Sequence, residues 1–121
     1  MANGINRVTL FKVPSLEGQQ KLIEAFKEMQ TGSKKDGKPY ILSLSIGQAA
    51  DDPRSQGWTV VAETKFASLD DMRYYDEQDE AHAALKEKAK GYGIVGGPAG
   101  VLTVYFEAGV SSGGPEFASR E

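Results

Sequence analysis

His82 is the only histidine in a chain of 121 residues that contains no cysteine. An imidazole titrates near pH 6.5 and crosses working pH with small changes of environment, so it suits general acid–base chemistry. Tyr75 is a candidate partner, because a phenol can donate to an oxygen that gains negative charge, such as an enolate oxygen. The plainer alternative for His82 is a packing residue bonded to nearby backbone or carboxylate. Wound on one helix, Leu69, Met72, Tyr75, His82, Leu85 and Ala89 form a single apolar stripe, which turns His82 toward the core. At 1.5 Å per residue an unbroken helix holds Tyr75 and His82 about 10 Å apart. Joint action then needs a ligand that bridges them, or a break between Asp76 and Glu80.

Other candidates carry competing readings. Arg7 has the planar fork that binds carboxylate or phosphate, though a surface ion pair with Glu107 or Glu63 is the duller role. Trp58 and Tyr105 are able to line a pocket, but large aromatics in strands are usually core. The run Asp76-Glu77-Gln78-Asp79-Glu80 offers oxygen ligands to a cation, yet such runs are usually solvated helix shoulders. Gly91 to Gly96 spells GxGxxG. A dinucleotide site needs a strand before that motif and a helix after it, and here the order is reversed, so the stretch reads as a loop.

Bulk properties narrow the classes. The net charge of −3, with Lys34-Lys35 the only basic cluster, lacks the electrostatic footprint of a nucleic-acid binder. Without cysteine there is no disulfide, thiolate nucleophile or cysteine-bound metal, and one histidine excludes a multi-histidine site within a protomer. No apolar run approaches the roughly 20 residues that cross a bilayer, and no signal-peptide pattern opens the chain. The expectation is a cytoplasmic protein without membrane or nucleic-acid partners, metal or cofactor. The length suits one domain.

The elements that must position these residues follow from local patterns. Arg7 to Val13 is β-prone and is stopped by Pro14. Ser15 caps an amphipathic helix in which Leu16, Leu22, Ile23, Phe26 and Met29 recur up to the break at Thr31-Gly32-Ser33. Tyr40 to Gly47 alternates, with Leu42, Leu44 and Ile46 on one side. Trp58 to Phe66 forms a third strand with Trp58, Val60, Ala62 and Phe66 on one face. Ser68, with Asp70 and Asp71 behind it, starts a second helix that runs to about Lys90. Val101 to Glu107 is the fourth strand. Residues 1–108 make the domain, and 109–121 read as a flexible tail. The order β-α-β-β-α-β is the split arrangement of an α+β, ferredoxin-like unit with a four-stranded antiparallel sheet. Several strands are poor in charge on both faces, so the face away from the helices should be covered by a second copy in a two-fold dimer.

Val8 to Lys12, Gly57 to Val61 with Thr64 to Phe66 and Ser68-Leu69, and Tyr75 ahead of Ala81-His82 together resemble the stress-responsive A/B barrel (Dabb) family. The resemblance spans the chain to about Glu107 and implies a dimeric α/β barrel holding a small molecule. Some similar members are cofactor-free plant polyketide cyclases, in which a helix histidine and a tyrosine perform an aldol-type ring closure. His82 corresponds to that histidine, and Tyr75, or alternatively Tyr74, to the tyrosine. Arg7 and Val60 stand where members carry further histidines, and Glu80 where a proline is usual. The expected catalytic pair is therefore His82 and Tyr75, inside a ligand-binding set of Arg7, Phe11, Trp58, Val60, Tyr74 and Leu85. Three functions compete: a homodimer that binds a small, largely apolar molecule beside the second helix, a cofactor-independent cyclase or lyase, and a structural, chaperone-like stress protein.

Overall fold

Alternating side chains in the first strand decide which face of the sheet the helices cover. In the computed structural model, which describes residues 4–110, β1 (Ile5–Phe11) buries Ile5, Thr9 and Phe11 and leaves Asn6, Val8 and Leu10 half-buried on the other side. The strand begins two residues earlier than expected. Beyond it, Ser15 accepts a hydrogen bond from the Gly18 amide and caps α1 (Leu16–Gly32), which buries Leu22, Ala25, Phe26 and Met29. Leu16, expected on that stripe, is exposed.

β2 (Ile41–Gln48) carries a bulge between Ile41 and Ser43. The extra residue changes the alternation, so Ile41, Leu44 and Ile46 pack on the core while Leu42 turns out to solvent. β3 (Val60–Phe66) begins two residues later than expected. Gln56 and Gly57 both adopt positive φ, and this left-handed corner turns Trp58 away from the ladder. Trp58 instead receives Lys12 Nζ over its ring at 4.8 Å.

The second helix is two helices. α2 (Leu69–Glu77) starts at the Ser68 cap, whose hydroxyl accepts from the Asp71 amide. It stops where the amides of Gln78 and Asp79 both donate to the Tyr74 carbonyl. Asp79 then caps α3 (Glu80–Ala89), accepting from the amides of Ala81 and His82 at 2.9 and 3.2 Å. The acidic run expected to be a solvated shoulder thus contains a buried capping carboxylate, which also accepts the Tyr40 hydroxyl. β4 (Val101–Glu107) completes an antiparallel sheet of order β2-β3-β1-β4. The expected tail lies, from residue 111 on, outside the described residues. Architecture and topology are ferredoxin-like, with three helices in place of two.

The glycine-rich segment after α3 has a steric reason for its composition. A Cβ on Gly18 would lie 2.3 Å from the Tyr92 carbonyl oxygen, and one on Gly100 would lie 2.1 Å from that of Val95. The segment lies tight against α1, and Val95 N–H donates to the Lys12 carbonyl while Lys12 N–H donates to that of Gly100.

Candidate active site

A cavity of about 480 Å³ opens between the inner face of β1 and β4, α3 and the glycine-rich segment. Phe11, Phe26, Leu85 and Ile94 give it apolar walls, and Arg7, Asp76, His82 and Lys86 supply charge and polarity. Its floor follows from strand register: Thr9 faces Thr103 across β1 and β4, and their hydroxyls bond at 3.2 Å.

The helix break sets the position of His82. Because α2 ends and α3 restarts on the Asp79 cap, the imidazole folds back onto Tyr75, with ring centroids 3.7 Å apart and planes inclined by 13°. Nδ1 lies 2.8 Å from the Tyr75 carbonyl oxygen. A carbonyl only accepts, so Nδ1 carries the proton and neutral His82 keeps its lone pair on Nε2. The ring is buried at the cavity wall. Burial depresses its pKa to about 4, the nearby cations Lys86 and Arg7 act in the same direction, and the carbonyl bond and Asp76 oppose them. His82 is therefore neutral at pH 7.

Tyr75 forms the cavity wall with its ring, while its hydroxyl donates to Met29 Sδ at 3.4 Å. Burial raises its pKa well above the ordinary phenol value. Arg7 also rests on this ring, its Cζ 5.2 Å from the centroid, and donates from Nη1 to Asp76 Oδ2 at 2.8 Å. The partner of Arg7 is Asp76, not the expected Glu107 or Glu63.

Of the expected site residues, Arg7, Phe11, Tyr75, His82 and Leu85 converge on the cavity and three do not. Val60 is fully buried in the core. Trp58 sits outside β3 against Lys12. Tyr74 points to the other side of α2, where its hydroxyl donates to the Lys34 carbonyl and its ring meets Tyr40 edge-on. Thr9, Asp76 and Lys86 were missed. The first needed the β1–β4 register, and the other two needed the break that turns the helix here. Among the described residues no group of three or more metal-ligating side chains forms, and no helix is long and apolar enough to cross a membrane.

A model of the stress responsive A/B barrel domain, Dabb, matches residues 5–93. The chain belongs to that family. This Dabb chain is 39% identical over 113 residues to a fusaristatin A biosynthesis cluster protein of Gibberella zeae, a similarity covering 93% of the chain and 79% of the relative. Its fold is similar to hydroxynitrile lyase from Passiflora edulis, with a TM-score of 0.70 at 10% identity, covering 93% and 100% of the two chains. It is also similar to a dimeric ferredoxin-like protein of unknown function from Jannaschia sp. CCS1, with a TM-score of 0.64 at 12% identity and coverage of 87% and 99%. At these identities the two structures speak for the Dabb fold alone.

Proposed function

We propose that this Dabb chain forms a homodimer in which each protomer binds a small, largely apolar molecule in the cavity beside α3. The cavity itself carries the reading. Its volume lies within the range of small-molecule sites, and its walls combine apolar side chains with a few convergent polar groups. The dimer is supported by β4, where Leu102, Val104 and Phe106 stand exposed on the face away from the helices, and by the dimeric neighbour from Jannaschia. Kinship to a biosynthesis cluster protein favours a metabolic intermediate as the ligand. Thr103→Phe places a bulky ring on a strand that tolerates aromatics, over the cavity floor. Titration with an uncharged fluorescent apolar probe should saturate in the native protein and fail in that variant; equal binding by both refutes the site.

The tautomer of His82 favours a second reading, a cofactor-independent lyase or cyclase. Nε2 takes a proton from the carbon next to a carbonyl, whose C–H electron pair forms an enolate, or from a cyanohydrin hydroxyl, whose O–H pair forms the carbonyl as the C–CN bond breaks and cyanide leaves with that bond's electrons to be protonated by the imidazolium. In ring closure the enolate carbon attacks a second carbonyl, and the alkoxide recovers the proton from imidazolium. With its hydroxyl committed to Met29, Tyr75 serves here through its ring and its carbonyl, which hold the imidazole; donating to a substrate would require that hydroxyl to leave Met29. The decisive assay compares native protein with His82→Ala on candidate polyketones and cyanohydrins. Loss of turnover with binding retained supports the base; unchanged turnover removes it.

A further inference from the structure

We propose that the cavity selects molecules bearing an anionic end, a carboxylate or a carbonyl that ionises to an enolate, and that Arg7 receives that end. The proposal rests on the reading of the cavity as a ligand site. It begins with how little of the Arg7 guanidinium is used. Its side chain is only 11% exposed, and among the described residues its single hydrogen bond runs from Nη1 to Asp76. A guanidinium carries five N–H donors, and its Nε–Nη2 edge presents two of them in parallel, matched to the two oxygens of a carboxylate. The same molecule shows that edge in use: Arg54 donates from Nε and Nη2 to the two oxygens of Asp52 at 3.0 and 2.8 Å. On Arg7 that edge has no acceptor among the described residues.

Charge around the cavity points the same way. Among the described residues Asp76 is the only carboxylate on the wall, against Arg7, Lys86 and Lys90. Lys90 is neutralised by Glu87 at 2.6 Å, whereas Lys86 Nζ meets the Asp76 backbone carbonyl at 3.2 Å and, among the described residues, forms no ion pair. One positive charge, that of the exposed Lys86, therefore stays uncompensated at the cavity wall. An amphiphilic acid fills both demands, with its apolar body on Phe11, Phe26 and Leu85 and its charge on the guanidinium. Arg7 and His82 both rest on the Tyr75 ring and both line the cavity.

Two probes that share one ring system separate the possibilities: anilinonaphthalenesulfonate, whose sulfonate is charged at every accessible pH, and uncharged N-phenyl-1-naphthylamine. The anion should bind about 10-fold or more tightly than the neutral analogue, the factor that one charged hydrogen-bonded contact supplies. Arg7→Gln should erase that preference while leaving the neutral probe's affinity within about 2-fold, a change of under 0.5 kcal/mol. Because Arg7→Gln also removes the partner of Asp76, Arg7→Lys and Lys86→Gln complete the set: each should keep the fold and lower the preference in part. Equal affinities in the native protein, or Arg7→Gln weakening both probes alike, overturns the anionic selection. If the neutral probe fails to bind, or binds undiminished in Thr103→Phe, the cavity reading falls and this proposal falls with it.

Discussion

β3 and β4 are the two antiparallel partners of β1, yet they live in opposite environments. On β3 the helix-facing residues Val60, Ala62, Thr64 and Phe66 are all buried, with Phe66 completely enclosed. On β4 every residue is exposed, including Tyr105 and Phe106 at about half of their surface. The three helices cover the β2-β3-β1 part of the sheet and stop short of its β4 edge. The cavity lies at that boundary, with β1 and β4 as its floor and the end of α3 as its wall. One part of the sheet is finished within the protomer, and the other stands open.

Substitutions on the two strands test that contrast most strongly. Phe66→Ala opens a void in the enclosed part and should cost about 3–5 kcal/mol in urea unfolding. A cost near 1 kcal/mol would mean that the two strands are less different than they look. Acid is the next lever. With a folded pKa of about 4 against 6.5 unfolded, His82 is neutral in both states above pH 6.5; as pH falls from 6.5 to 4 only the unfolded chain gains the proton, so stability declines across that window. The full loss is on the order of 3 kcal/mol. His82→Asn should flatten the decline, and a parallel decline in both proteins would show that other groups cause it.

Asp79→Ala should cost about 1–2 kcal/mol, because α3 loses its cap and the half-buried Tyr40 loses the acceptor of its hydroxyl. Chemical shifts of His82 should move with it, since the break that seats the ring depends on that cap. The smallest effect belongs to the open strand. Phe106→Ser should change protomer stability by about 0.5 kcal/mol or less in dilute solution, with a larger loss appearing only at concentrations where the proposed dimer forms. Sedimentation of the native protein as the proposed dimer and of the variant as a monomer would sharpen the contrast; loss of the fold in dilute solution would break it.

Strand identity, the Ser15 and Ser68 caps and the β-α-β-β-α-β order were legible because each rests on neighbours in sequence. What sequence reasoning missed depends on competition between near-equal local choices. In Asp76 to Glu80 any of several acids can solvate a helix face, and only the folded chain selects Asp79 as a new cap, converting a 10 Å separation into a ring stack. Trp58 looked like a strand residue until the left-handed corner at Gln56 and Gly57 removed it from the ladder. Leu42 fitted a clean alternation that one bulge shifted. Tyr74 and Tyr75 are adjacent, so a small rotation of α2 decides which of them meets the histidine. His82 was placed on the core side correctly because that needed only the apolar stripe.

Gly18 interrupts α1 at a position where alanine would favour the helix by up to about 1 kcal/mol. Its missing side chain leaves a notch that the Tyr92 carbonyl fills, so the rear wall of the cavity is latched to the first helix. The same segment is held a second time where Val95 N–H donates to the carbonyl of Lys12, just beyond β1. A methyl group at Gly18 would act as a wedge there, prising the segment after α3 away from the first helix.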